Sequence, residues 1–195
     1  MKKTIGCTIA GAVLVAAGFP ATARAGGPGL RFSSATGAAG QEVTVTATLS
    51  TGGKSVAGTQ NDFGYKPPGL TVKSKANGTP DCTVNPSINK SASTFVFRPP
   101  GCGGDACNSV RVLVFSPGDV AAIPDGSVLY TCTLKVGPQA SGALPLELSG
   151  TILSDPTGVR VCGSAANDPQ CTGNTNGSVT VGKAAAKAKP ATSKH

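Results

Sequence analysis

Apolar and polar residues alternate along this chain with a period of two. From Glu42 to Leu49 the apolar set Val43, Val45, Ala47 and Leu49 is interleaved with Thr44, Thr46 and Thr48. Residues 93–98 alternate around Phe95 and Phe97, and Leu144, Leu146 and Leu148 alternate with Pro145 and Glu147. Such runs place one face on a core and the other in solvent. Turn signals separate them: Thr51-Gly52-Gly53, Pro67-Pro68-Gly69, Asn77-Gly78, Asp125-Gly126 and Asp155-Pro156. No window of helical length carries a sustained 3.6-residue apolar stripe. The pattern predicts an all-β, antiparallel sandwich or barrel.

Residues 109–136 sharpen this expectation. Val128, Tyr130, Cys132, Leu134 and Val136 share one face of a strand, with Thr131, Thr133 and Lys135 on the other. Cys132 therefore points inward. In the preceding strand Val110, Val112 and Val114 face one way and Leu113 and Phe115 the other, so that strand is apolar on both sides. Two arrangements account for it: a central strand covered by a loop, or an apolar patch exposed for a partner.

The termini differ from the middle. Met1-Lys2-Lys3, an apolar run from Ile5 to Phe19 and the ending Ala23-Arg24-Ala25 describe a secretory signal peptide over residues 1–25. The run is too short for a comfortable membrane span. Residues 183–195 are a low-complexity Lys/Ala tail, read as a disordered basic end. Residues 26–182 are left as one domain. Lys2, Lys3 and Arg24 fall in the leader and Lys183, Lys187, Lys189 and Lys194 in the tail, so only one unit of the net charge of +8 remains on that domain. Nucleic acid, which selects a basic patch interleaved with aromatics, is thereby excluded as a partner.

Cysteine usage sets the compartment. Beyond Cys7 there are six: Cys82, Cys102, Cys107, Cys132, Cys162 and Cys171. An even count behind a leader reads as three disulfides, with 15 possible connectivities. Proximity in sequence suggests Cys102 with Cys107 and Cys162 with Cys171, which leaves Cys82 for Cys132. A metal site is not expected, because there is no C-x-x-C and the sole histidine is His195. The chain is accordingly read as secreted, whether extracellular or periplasmic.

Val56-Ala57-Gly58-Thr59-Gln60-Asn61-Asp62-Phe63-Gly64-Tyr65, followed by Pro67 and Leu70, resembles a stretch of cohesin domains. Residues 110–115, the loop ending Ile123-Pro124-Asp125-Gly126 and residues 129–136 look like a later cohesin block. Ala140-Ser141-Gly142 and Asp155-Pro156-Thr157-Gly158 continue the likeness, which covers residues 29–182. The segment from Cys82 to Cys107 is similar to cysteine-bearing cohesin-like proteins of non-cellulolytic bacteria. The resemblance implies a jelly-roll β-sandwich of about nine strands, related to carbohydrate-binding modules, with a calcium-loaded dockerin as the usual partner. It points to Gln60, Asp62, Arg111, Leu113 and Phe115 as partner contacts. Where dockerin-binding cohesins often carry Asn and Asp ahead of a Tyr-Asp-Pro, this chain has Gly58, Gln60 and, for the Asp of that triplet, Lys66.

The chain carries no dockerin loop of its own. The nearest fit to an EF-hand-type loop, Thr172, Asn174, Asn176 and Gly177, lacks the first acid and has Lys183 in place of the last. No cofactor is expected, and any calcium belongs to the partner. A binding or assembly module for an extracellular protein is the leading reading. A carbohydrate-binding module for a soluble or cell-surface polysaccharide is the alternative, although with no Trp and two Tyr no stacking row for crystalline polysaccharide is available. An enzyme is not expected: a nucleophilic triad lacks its base and the nine acids form no evident pair.

Overall fold

Alternating valines, leucines and threonines pair into two sheets that pack face to face. The computed structural model describes residues 26–163, 165 and 169–182. The leader expected over residues 1–25 and the tail over 183–195 lie outside the described residues. The strands are β1 (Gly29–Phe32), β2 (Ala35–Ala38), β3 (Glu42–Ser50), β4 (Gly58–Gly64), β5 (Leu70–Val72), β6 (Cys82–Val84), β7 (Thr94–Arg98), β8 (Ser109–Val114), β9 (Val128–Val136), β10 (Ala143–Ser154), β11 (Arg160–Cys162) and β12 (Gly177–Gly182). Three of them, β5, β6 and β11, are only three residues long. Twelve strands are thus described where the cohesin resemblance implies about nine.

One sheet runs β1-β3-β9-β5, with β6 also paired to β9. The other runs β2-β12-β10-β4-β8-β7, with β11 on β10. Pairing is antiparallel except that β12 runs parallel to β2. That pairing joins the two ends of the domain, and nothing local in the sequence announces it.

The inward phase of each run forms the core. Val43, Val45, Ala47 and Leu49 from β3 and Tyr130, Cys132, Leu134 and Val136 from β9 meet Phe63 of β4 and Val110, Val112 and Val114 of β8. Burying each large apolar side chain stabilises the fold by about 1.5–3 kcal/mol relative to leaving it exposed. Phe32 packs against Phe63 with tilted rings 4.9 Å apart between centroids, and both Phe32 and Phe95 meet Tyr130 edge-on. One buried polar bond links the sheets: the Asn61 amide donates to the Tyr130 hydroxyl at 2.9 Å, and that hydroxyl is 3.0 Å from Asn61 Oδ1. Burial raises the Tyr130 phenol far above its ordinary pKa, so it remains a neutral donor.

The three disulfides follow the pairing expected from proximity: Cys82–Cys132, Cys102–Cys107 and Cys162–Cys171. Cys82 and Cys132 sit directly opposite on β6 and β9, both buried. Hydrophobic alternation on β9 thus accounts for the cysteine in its apolar stripe.

Candidate protein-docking face

The residues singled out from the sequence converge on one surface. Strand β4 turns Thr59, Asn61 and Phe63 inward, which leaves Gln60 and Asp62 outward. Strand β8 turns Val110, Val112 and Val114 inward and Arg111 and Leu113 outward. In register, Gln60 lies opposite Leu113 and Asp62 opposite Arg111. Phe115 follows immediately after β8. Of the two arrangements open for the doubly apolar strand, the uncovered one is seen among the described residues, with Leu113 half-buried. Strand β8 lies between β4 and β7, and Phe115 remains 36% exposed on the outer face.

Two residues that sequence reasoning missed complete the face. Val96, 47% exposed, lies opposite Arg111 on β7. Ile152 lies opposite Gln60 on β10. Val96 was legible as the position between inward Phe95 and Phe97. Ile152 was not, because β10 changes phase midway. Ser149 is opposite Asp62 and Ile152 opposite Gln60, so β10 uses one more residue than β4 over that interval. The extra residue is a β-bulge at Gly150, whose φ of +57° suits glycine. Before it Leu144, Leu146 and Leu148 face the core; after it Thr151 and Leu153 do.

A charged pair crosses the centre of the face. Arg111 donates from Nε to Asp62 Oδ1 and from Nη2 to Asp62 Oδ2, both at 2.7 Å, a bidentate fork. The hydrogen bond to Asp62 raises the guanidinium pKa above its already high ordinary value, so Arg111 stays charged. Beside it a notch of about 290 Å³ is lined by Gly58, Gln60, Leu113, Phe115, Ile152 and Ser154. A Cβ at Gly58 would stand 3.0 Å from Ser154 Oγ and 3.8 Å from Phe115 Cβ, so glycine keeps the notch open. At the opposite end of the same sheet, Tyr65, Lys66, Pro67, Asn108, Pro145 and Glu147 border a second cleft. Burial pushes the Tyr65 phenol up to about 12 there. The arrangement suits docking: apolar side chains surround a self-neutralised ion pair whose polarity fixes orientation.

The loop that failed as a calcium site has structural work instead. Asn174 Oδ1 accepts from the Leu30 amide, Asn174 Nδ2 donates to Thr151 Oγ1, and Asn176 Oδ1 accepts from the Leu148 amide. Among the described residues no group of three or more His, Cys, Asp or Glu is placed to hold a metal ion. No described helix is long and apolar enough to cross a membrane.

A two-sheet sandwich with an uncovered, partly apolar sheet face defines a class, and comparison with solved structures specifies the fold. No protein-family profile matches the chain, and no curated protein matches it. Solved structures do. The cohesin CaCohA2 of Clostridium acetobutylicum, in a complex with CaDoc0917, superposes with a TM-score of 0.61 at 18% identity, covering 80% of this chain and 100% of that one. The sixth cohesin of scaffoldin B from Acetivibrio cellulolyticus, in complex with a mutant Cel5 dockerin, gives 0.57 at 18% identity, covering 80% and 99%. A non-cellulosomal cohesin from the hyperthermophilic archaeon Archaeoglobus fulgidus gives 0.54 at 17% identity, covering 80% and 91%. The fold of this chain is that of cohesin domains, as the sequence resemblance implied.

Proposed function

We propose that this chain is a secreted, non-catalytic docking module that engages a dockerin-type protein partner through the outer face of β4, β7, β8 and β10. The observation that carries the reading is the convergence of Gln60, Asp62, Arg111, Leu113 and Phe115, with Val96 and Ile152, on one half-exposed face. The fold supports it, since a cohesin from Acetivibrio cellulolyticus with that fold is held in complex with a dockerin. Three disulfides and the leader-like residues 1–25 support an extracellular or periplasmic setting. Gly58 and Lys66, in place of the polar residues of dockerin-binding cohesins, shift recognition from side-chain hydrogen bonding towards filling the notch beside Phe115.

The test is capture from culture supernatant and cell-wall fractions with immobilised protein, with and without calcium. The expected result is a protein carrying a dockerin sequence, retained only with calcium and lost on the Leu113→Asp variant. Calcium-independent retention, or retention unchanged by Leu113→Asp, overturns the reading.

A further inference from the structure

Another polar cleft lies where the chain between β6 and β7 meets the loop after β8, its rim residue Ser116 following directly on Phe115 of the docking face. The Asn85 side chain caps a 3-10 turn over Pro86–Ile88: Oδ1 accepts from the Ser87 amide and hydroxyl, while Nδ2 donates to the Val128 carbonyl. Asn89 then takes the left-handed conformation (φ 54°, ψ 35°), and the next side chain, Lys90, turns inward. Lys90 is 2% exposed. Its ammonium donates to the carbonyls of Asp119 (2.7 Å) and Ala121 (2.8 Å), with Asp119 Oδ1 at 4.0 Å. A buried ammonium persists only when so partnered. It ties the two loops together, and the cleft between them is thereby preformed.

That cleft has a volume of about 580 Å³, within the usual range for small-ligand sites. Val84 and Pro86 supply apolar surface; Asn89, Ser91, Ser116 and Asp119 supply polar groups. Among the described residues the Asn89 side chain has no hydrogen-bond partner. The Ser91 and Ser116 hydroxyls share only a 3.4 Å contact. Asp119 Oδ1 accepts from the Ala121 amide, which leaves its second oxygen available. The Asn89 amide, the remaining capacity of the two hydroxyls and a carboxylate oxygen are thus available to a ligand. Two of the three Lys90 donors go to carbonyls, Asp119 Oδ1 stands 4.0 Å from the ammonium, and the Asp119 carboxylate borders the opening, so an anion meets a negative charge there. No aromatic lines the cleft, so a flat aromatic ligand finds no stacking surface.

We infer that this cleft binds a neutral carbohydrate segment. Sugar hydroxyls donate and accept at once, as the free groups here require, and adjacent hydroxyls can be bridged by one amide or one carboxylate. Without a stacking aromatic the affinity is weak, on the order of 1 mM for an isolated oligosaccharide. The site shares no lining residue with the notch beside Phe115 and does not depend on the docking reading.

The experiment is amide-shift titration of the isotope-labelled protein with cellopentaose, xylopentaose, mannopentaose and chitopentaose, with polygalacturonate as the anionic control. At least one neutral oligosaccharide is expected to give saturable shifts at Asn89, Ser91, Ser116 and Asp119. Asn89→Gly, which keeps the left-handed backbone but removes the amide, is expected to weaken binding about tenfold, with Ser91→Ala as a second variant. Leu113→Asp should leave it unchanged. Silence at these amides with all four neutral sugars, tighter binding of polygalacturonate, or full affinity in both cleft variants overturns the inference.

Discussion

The two sheets of the sandwich turn opposite kinds of surface to solvent. The five-stranded sheet presents a threonine grid: Thr44 lies opposite Thr133, Thr46 opposite Thr131, and Thr83 beside Thr131. Glu42, Lys73 and Lys135 border it, and Lys73 pairs with Glu42 at 3.0 Å in the open, where water screens the contact. The seven-stranded sheet instead shows Val96, Leu113, Phe115 and Ile152 around the half-buried Asp62–Arg111 fork. Both surfaces arise from strands with the same period-2 grammar. The difference is what occupies the outward phase. β-Branched threonine satisfies strand propensity while facing water, whereas leucine and phenylalanine in that phase leave apolar surface outside the core, as the proposed docking face requires.

Both sheets build the core, and the proposed docking reading places recognition on the outer face of the seven-stranded sheet alone. The sharpest test on the stability side is the Cys82–Cys132 bond beneath the threonine grid. Replacing both cysteines by Ala should lower unfolding stability by ~2–5 kcal/mol in denaturant titrations, while partner binding below the unfolding transition is retained. Loss of binding in the folded variant would break the division. On the recognition side, Leu113→Asp should weaken the partner complex about 30- to 900-fold (~2–4 kcal/mol), the scale of an interface hot spot. Thr133→Asp, the matching change on the grid, should leave affinity alone. Calorimetry on the two variants decides it.

Tyr130→Phe probes the bond that holds the sheets to each other. It strands the Asn61 amide in the core and should cost ~1–3 kcal/mol of stability; a change below about 0.5 kcal/mol would place the coupling in apolar packing alone. Asp125 ties the β8–β9 loop to the end of β3. Hydrogen bonds from the Thr51 amide and then the Thr51 hydroxyl hold its carboxyl below the ordinary carboxylate range. A depressed folded-state pKa means that this contribution is present at neutral pH and disappears as the pH falls below that range. Asp125→Asn should flatten the acid limb of the stability profile. The smallest effect belongs to the grid: Lys73→Ala should change stability by less than about 0.5 kcal/mol, and added salt should erase even that.

Most of this division was legible in the residues. Phase alone separated Val110, Val112 and Val114 from Leu113 and Phe115, and turned Cys132 inward where Cys82 could meet it. The neighbours of that face were harder. Val96 needed the register between β7 and β8, and Ile152 needed the phase change at Gly150, which periodicity counted from Leu144 cannot foresee. The cleft around Lys90 depends on a meeting of residues 84–91 with 116–121, fixed by a buried ammonium that reads in sequence as one more surface lysine. The parallel pairing of β2 with β12 is likewise a product of closure and not of local pattern.

The bulge at Gly150 takes up the single residue by which β10 exceeds its partner strand. Without that residue, Ser149, Thr151 and Ile152 would pair with Asp62, Asn61 and Gln60 in unbroken alternation. Leu144, Leu146, Leu148 and Leu153 would stay on the core, and Ile152 on the outer face. A single-codon deletion at Gly150 should therefore leave inside and outside as they are, whereas the same loss at Glu147 would turn Leu144 and Leu146 outward. The strand thus holds one position at which its length can change without changing what it shows to solvent.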